Sequence, residues 1–405
     1  MAEKQFIVGP DTVRMIELGH PWVIADRFTK SWPQERSGEL ISLSDQTGER
    51  LATALYSPGE RIVARILSRT QIALSREWIR RKLQQALELR LEHLDLTGTT
   101  AYRLVNGEGD GLPGLTIDRY GDYLMVQCYT QAWSPHLKLI TDVMRELFSP
   151  RGIYEKFRPQ ETRRLAAKSE STCYSQLLTG ERQKGRLTVT ENGLNFLVDL
   201  EEGLNTGLFL DQRDNRRDFM LRVKGKTVLN LFAYTGAFSV AAAASGAQKV
   251  TSVDVSATYL DWARENFNCN RLNPKRHEFV VDDCFFALDR FKREGRRFDL
   301  ILFDPPSFSS TRKSTFATRG GTAGLATSCL QILKENGLLI GSSNHQKTDI
   351  AEYQKELRRG ALQAGCELRL IGLHSQSGDF NYTVTFPEGR YLKYMLGVKT
   401  EMINL

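Results

Sequence analysis

Residues 228–254 read VLNLFAYTGAFSVAAAASGAQKVTSVD. An apolar run of strand length is followed by small residues suited to a helix and then by a second apolar run. The alternation continues downstream, and it predicts strands at 228–232, 249–253, 278–281 and 298–303 and helices at 237–244 and 257–268. Alternating apolar strands and helices favour an α/β fold with a parallel, doubly wound sheet.

Polar residues stand where these predicted strands end, and such sheets bind ligands past the carboxyl ends of their strands. The first turn has a single glycine, Gly236, and matches neither the dinucleotide-binding GxGxxG loop nor the Walker phosphate loop. The absence of those glycines disfavours a dehydrogenase. Asp254 ends the second strand, where its carboxylate can accept hydrogen bonds from both ribose hydroxyls. Asp283 follows the third strand, where it can accept a hydrogen bond from an adenine amino group. A cofactor with adenosine and no phosphate, S-adenosylmethionine (SAM), fits this series.

The segment after the fourth predicted strand reads Asp304-Pro305-Pro306-Ser307-Phe308. Two prolines end the ladder and stiffen the exit of the chain from the sheet. Phe308 can stack on a planar base, and Asp304 can accept a hydrogen bond from it. The pattern therefore predicts a reaction site for a base beside the cofactor.

Composition excludes several classes of protein. The 405 residues carry a net charge of +7, and no apolar run reaches the roughly 18 residues of a membrane span or forms a secretory signal. None of the six cysteines forms a CxxC pair and no histidine cluster accompanies them, so neither a metal site nor a disulfide framework is expected. We expect a cytoplasmic protein with reduced thiols and no membrane partner.

The amino-terminal half differs from the rest in pattern and charge. Residues 1–72 predict a small all-β domain, residues 73–187 a small α/β domain with a polar linker at 151–187, and residues 188–405 the sheet domain. Two stretches concentrate positive charge, with net +6 at 61–90 and net +5 at 151–187, which favours contacts with phosphates. The candidate contacts are Arg76, Arg80, Arg81, Lys82, Arg163 and Arg164.

The chain resembles the bacterial family of SAM-dependent 23S ribosomal RNA base methyltransferases nearly from end to end. That family joins a PUA-like RNA-binding domain, a small α/β domain and a class I (Rossmann-like) methyltransferase domain. The motifs that carry the resemblance are at 19–23, 54–58, 109–114, 118–121, 206–213, 230–236, 304–308 and 387–393, together with Asp254 and Asp283. The resemblance implies ribosomal RNA as the partner.

The resemblance also implies roles for individual residues. The cofactor would be bound by Phe209, Asp211, Gln212, Arg213, Asn230, Phe232, Ala233, Tyr234, Gly236, Asp254, Asp283 and Asp304. The reaction would involve Asp304, Pro305, Pro306, Phe308 and Asn344.

One departure from the family changes the expected chemistry. The cytosine branch carries a cysteine nucleophile after the fifth strand, and Asn344 occupies that position here. The guanine-nitrogen branch needs no such nucleophile, because a nitrogen lone pair attacks the methyl group directly. We therefore expect methylation of a base nitrogen.

Several alternatives stay open at this stage. They are methylation of cytosine carbon 5 through another cysteine, a non-catalytic module of ribosome assembly that binds SAM and RNA, and a small-molecule methyltransferase. A homodimer is compatible with the sequence, which does not determine the oligomeric state or the modified nucleotide.

Overall fold

The structure, a computed structural model, describes residues 6–156, 174–306, 308–310 and 315–402. The chain divides into two compact units. Unit 1 comprises residues 1–187, 199–206 and 378–389, and unit 2 comprises residues 188–198, 207–377 and 390–405. The predicted division into three domains, at residues 72 and 187, stays a prediction.

The first sheet of unit 1 has five strands in the spatial order β1–β3–β4–β5–β2. The strands of this sheet and the helix between its first two strands in sequence are β1 (Phe6–Ile7), α1 (Pro10–Glu17), β2 (Trp22–Ile24), β3 (Leu40–Ser44), β4 (Arg50–Tyr56) and β5 (Ile62–Ser68). The prediction of an all-β domain missed α1. Pro10 at its first helical position and Asp11 in its first turn are typical helix-start residues.

The second sheet of unit 1 has the order β10–β9–β8–β7–β6. The strands of this sheet and the two helices in the same stretch of sequence are α2 (Arg76–His93), β6 (Ala101–Asn106), β7 (Leu115–Tyr120), β8 (Tyr123–Cys128), α3 (Leu137–Phe148), β9 (Gly152–Lys156) and β10 (Ser175–Gly180). The predicted linker at 151–187 is wrong in part, because β9 and β10 fall within it. Glu155 and Lys156 make β9 look polar in sequence, yet every residue of that strand is buried.

Unit 1 contains a buried ion pair whose donors all have partners. The guanidinium of Arg90 is fully buried and donates to both carboxylate oxygens of Asp110, at 2.6 and 2.8 Å. It also donates to the carbonyl of Asp379 and the side-chain oxygen of Asn381, so the late segment 378–389 packs within this unit. These hydrogen bonds offset the free-energy cost of removing the guanidinium of Arg90 from water.

Unit 2 contains a seven-stranded sheet and, apart from Leu187, the hairpin formed by β11 (Leu187–Glu191) and β12 (Leu194–Val198). The remaining elements are α4 (Arg213–Met220), β13 (Thr227–Leu231), α5 (Ala237–Ala244), β14 (Lys249–Asp254), α6 (Ala257–Cys269), β15 (Glu278–Val281), α7 (Cys284–Arg293), β16 (Phe298–Phe303), β17 (Phe308–Ser310), β18 (Thr315–Ala317), α8 (Thr318–Ile332), β19 (Leu333–Ser343), α9 (Ile350–Gln363), β20 (Glu367–His374) and β21 (Lys393–Thr400).

The large sheet has the order β15–β14–β13–β16–β19–β21–β20. The first five strands are parallel, and β21 runs antiparallel to both β19 and β20. This confirms the predicted parallel α/β sheet, and the antiparallel edge is an addition to it. The carboxyl ends of β15, β14, β13 and β16 are therefore neighbours. Within the described part of the chain, no helix is both long enough and apolar enough to cross a membrane.

Candidate functional site

The turn between β13 and α5 has an unusual backbone. Phe232 and Tyr234 have positive φ angles of 57° and 51°, and Gly236 has one of 75°. Left-handed geometry at residues other than glycine is strained by about 1–3 kcal/mol each and is common at functional sites. A Cβ atom on Gly236 would lie 2.7 Å from the Cβ atom of Ala263, so only glycine fits there.

Asp254 ends β14 beside this turn. Its carboxylate accepts hydrogen bonds from the backbone nitrogens of Tyr234 and Ser256, both at 2.9 Å. Burial raises the pKa of Asp254 above its ordinary value, and the backbone donors counter that effect. A carboxylate has about four acceptor sites, which suits it to a ribose diol in addition to these two donors.

Asp283 lies two residues beyond the end of β15, the strand next to β14. Its side chain accepts from the backbone nitrogen of Phe285 at 2.9 Å and thereby caps α7. Two apolar side chains near these acidic residues stay exposed, Val255 at 53% and Phe286 at 45%. Sequence reasoning missed both, although for Val255 its place directly after an acidic strand end was a usable signal. Their chemistry suits a planar base.

Gln212 joins two segments of the site through its amide. Its nitrogen donates to Asp304 at 3.0 Å and to the hydroxyl of Ser342 at 2.9 Å, and its oxygen accepts from Asn215 at 2.7 Å. These contacts hold the ends of β16 and β19 in fixed relation. Ser342 was missed by sequence reasoning because a serine at the end of a strand carries little signal.

The segment preceding α4 contributes the other predicted cofactor residues. Asp211 accepts a hydrogen bond from the hydroxyl of Tyr391 at 2.6 Å. Arg216 is buried, forms a bidentate pair with Glu191 and donates to the carbonyl of Phe209. The ring of Phe209 lies 5.3 Å from that of Tyr234, so this segment meets the β13–α5 turn.

Asp304 directly follows β16 and is half-buried. Burial raises the pKa of its carboxyl to about 6, the nearby charge of Asp211 adds to the rise, and hydrogen bonds from Ser342 and Gln212 oppose it. Two carboxylates at one site favour a cationic ligand. The sulfonium and ammonium groups of SAM are of that kind, so the donor set fits this cofactor.

The other predicted reaction residues lie at the same edge of the sheet or beyond what can be described. Pro305 is buried and Pro306 exposed, and Asn344 is exposed one residue after β19. Phe308 belongs to β17, which pairs with β18, but its side chain lies outside the described part.

Two predicted cofactor residues are directed into the protein. Asn230 is buried and donates to the hydroxyl of Ser239 at 2.9 Å. Arg213 is buried and contacts Asp214. Neither contact by itself indicates a ligand, and their predicted roles stay predictions, as does that of the buried Ala233.

The predicted RNA contacts on α2 differ in their surroundings. Arg76 and Arg80 both pair with Glu146, Arg81 is exposed, and the ammonium of Lys82 lies 5.7 Å from the ring centre of Trp78. Arg163 and Arg164 lie outside the described residues.

Five cysteines can be described: Cys128, Cys269, Cys284, Cys329 and Cys366. Burial raises the pKa of each thiol, to about 12 for Cys128 and well above its ordinary value for Cys284. A thiol with a raised pKa is a poor nucleophile at neutral pH. Over the described residues, no group of His, Cys, Asp or Glu side chains could hold a metal ion.

Comparison with known proteins gives concordant results. The sequence model of a family described as S-adenosylmethionine-dependent methyltransferase matches residues 110–341, and that of a PUA-like domain matches residues 6–69. Ribosomal RNA large subunit methyltransferase I of Klebsiella pneumoniae subsp. pneumoniae is 35% identical over 382 residues, which cover 92% of this chain and 93% of that protein.

Solved structures are similar over almost the whole length. A protein described as a methyltransferase, in complex with SAH, aligns with a TM-score of 0.86 and 30% identity, and 98% of this chain and 100% of that chain are covered. A protein from Streptococcus mutans described as SAM-dependent methyltransferase aligns with a TM-score of 0.83 and 29% identity at the same coverage.

Proposed function

This chain belongs to the family of S-adenosylmethionine-dependent methyltransferases, and on that premise we propose that it methylates a base nitrogen of large-subunit ribosomal RNA in the cytoplasm. Support for the RNA comes from the joint presence of the PUA-like domain and relatives named for ribosomal RNA methylation. A small-molecule methyltransferase has no need of an additional RNA-binding domain.

The observation that carries the choice of nitrogen is the chemistry of the cysteines. Carbon 5 of cytosine requires a thiolate that adds to the ring, and burial disfavours the thiolate form of each described cysteine. Asn344, which has no nucleophilic side chain, stands after β19. A ring or exocyclic nitrogen attacks a methyl group without covalent help, so correct placement can supply most of the acceleration.

The chain's own residues would bind and orient the two reactants. SAM supplies an electrophilic methyl group on a sulfonium. Asp254 would accept the ribose hydroxyls, Asp283, Val255 and Phe286 would surround the adenine, and Asp211 would face the cationic end. Asp304 would accept a hydrogen bond from the target base, Phe308 would stack on that base, and Pro305 and Pro306 would stiffen the segment that places them.

A pH dependence follows from the raised pKa of Asp304. In the free protein the carboxylate predominates above pH 6, so kcat/KM for methyl transfer should fall about tenfold per pH unit below about 6. A carboxyl whose pKa is higher in the folded than in the unfolded chain stabilises the folded state increasingly as the pH falls. Protonation of Asp304 is therefore not expected to unfold the protein in acid. Values of kcat/KM for ribosomal RNA methylation, measured between pH 5 and 8, test the expectation.

A stability control accompanies the pH profile. Thermal unfolding, measured in the same buffers, should change little between pH 5.5 and 7. A value of kcat/KM that stays level down to pH 5 would contradict a role for the Asp304 carboxylate.

Basic residues of α2 should contribute to RNA affinity. Replacing Arg80, Arg81 and Lys82 together by serine should weaken binding and reduce the slope of log K against log salt concentration by roughly 2, since each lost phosphate contact lowers it by about 0.7–0.9. Filter binding at several salt concentrations measures both quantities. An unchanged slope would show that these residues of α2 do not contact RNA phosphates. The affinity for SAM, which should not change, serves as the control.

The proposed function is tested by methyl incorporation. Purified protein and labelled SAM are incubated with ribosomal RNA from a strain that lacks the protein. We expect label in the large-subunit RNA, and none in RNA from the parent strain, where the position is already methylated. SAM binding without label in any RNA would instead favour a non-catalytic module.

A further inference from the structure

The loop after β19, residues 343–349, is held in one conformation by several hydrogen bonds. The backbone nitrogen of His345 donates to the hydroxyl of Ser343 at 3.3 Å, and the carbonyl of His345 accepts from the nitrogen of Thr348 at 3.2 Å. The ring of His345 contacts the hydroxyl of Thr348 at 2.8 Å, and Asp349 caps α9. The loop presents Asn344 to solvent at the edge of the sheet that carries Asp304.

Lys393 reaches this loop from the neighbouring strand. It is the first residue of β21, pairs with Ser343 in the ladder and is 4% exposed. Its ammonium donates to the carbonyl of His345 at 2.7 Å and to that of Tyr391 at 2.8 Å. A buried ammonium is costly unless its protons are satisfied, and two of them are used on main-chain carbonyls here.

The same short stretch contacts the segment on the cofactor side of the site. Tyr391, whose carbonyl accepts from Lys393, donates its own hydroxyl to Asp211. One segment, residues 391–393, therefore contacts both the loop that carries Asn344 and the segment that carries Asp211 and Gln212. Burial lowers the pKa of Lys393 to about 8, and the nearby charge of Asp349 opposes that shift.

We propose that Lys393 is a positioning residue for methyl transfer, which holds the 343–349 loop so that Asn344 and the end of β19 keep a fixed place beside Asp304. The proposal rests on the proposed function. A lysine suits this task because its long side chain spans the gap between two strands and ends in several hydrogen-bond donors. Small displacements at a reaction site are enough to lower its rate strongly.

The chain offers a matched control on the same strand. Lys399 lies near the other end of β21, about 20 Å away along a strand of this length, and donates to the carbonyl of Leu333 at 3.1 Å and to Glu335 at 2.7 Å. Both lysines thus donate to main-chain carbonyls, but only Lys393 contacts the loop at the site. Replacement by methionine keeps the length of the side chain and removes its donors in both cases.

The experiment compares K393M, K393R and K399M in the full chain. For K393M we expect kcat for ribosomal RNA methylation to fall at least tenfold, SAM affinity to stay within about twofold, and amide hydrogen exchange over residues 343–349 to speed up at least tenfold. K393R should recover most of kcat, and K399M should keep wild-type kcat and wild-type exchange in this loop.

Two results would overturn the proposal. The first is a K393M variant with wild-type kcat and unchanged exchange at 343–349. The second is an equal loss of kcat in K399M, which would assign the effect to general stability. Failure of the proposed function is distinct from both, because the wild-type chain would then methylate no ribosomal RNA while exchange still reports on the loop.

Discussion

The D304A variant is expected to lower kcat about 1,000-fold, which corresponds to about 4 kcal/mol in the activation free energy. The carboxylate of Asp304 is fixed by Gln212, whose amide also holds Ser342. Alanine removes the acceptor proposed for the target base and leaves the Gln212 donor without its partner. Both effects displace the base from its position for attack, and enzymes lose rate steeply with such displacements.

Asp299 supplies the matched control, because it lies near the opposite end of the same strand. It accepts from the backbone and the hydroxyl of Thr227 and from Lys334, and these contacts lower its pKa to about 2. D299A should lower the free energy of unfolding and leave kcat close to that of the wild type. If D304A and D299A lose kcat equally, Asp304 acts through stability and its proposed role is wrong.

The D254A variant is expected to weaken SAM binding about 100-fold, equivalent to about 2.7 kcal/mol. A carboxylate that accepts from two ribose hydroxyls forms charge-assisted hydrogen bonds, each worth about 1.5 kcal/mol or more. Asp254 also anchors the backbone of Tyr234 in a turn with three positive φ angles. Its loss therefore loosens the turn as well as removing the acceptor.

Calorimetry with SAM measures this loss directly. D254N keeps one acceptor oxygen and should fall between the wild type and D254A. D261A is the control, because Asp261 lies on the following helix with an exposed side chain paired to Arg264. A SAM affinity within threefold of the wild type in D254A would contradict the assignment of the ribose site.

Much of the large sheet was predictable from local pattern. The run Phe298–Phe303 is apolar at five of six positions, and the strand has those bounds. Asp254 ends β14, and Asp283 and Asp304 follow β15 and β16. These strands belong to one parallel array, so its topology brings their carboxyl ends to one edge. Periodicity identifies the strands in one sequence, and the rule that such sheets bind ligands past the carboxyl ends of their strands predicts the edge, whereas the spatial order of the strands comes from the structure.

Contacts between distant parts of the sequence were not predictable in the same way. The charge count at 61–90 includes Arg65 and Arg90, which are buried and paired with Glu60 and Asp110, so it overstates the charge available to RNA. Gln212 and Lys393 acquire their roles from partners 92 and 48 residues away. No local pattern encodes a pairing of that kind.

Nucleoside mass spectrometry of the RNA methylated in vitro tests the central claim most directly. The claim is methyl transfer to a base nitrogen without a cysteine nucleophile, so the digest should contain a nitrogen-methylated nucleoside, produced equally well by C173S, whose cysteine lies outside the described residues. A digest containing 5-methylcytosine, or a C173S variant that has lost methyl transfer, would contradict the account.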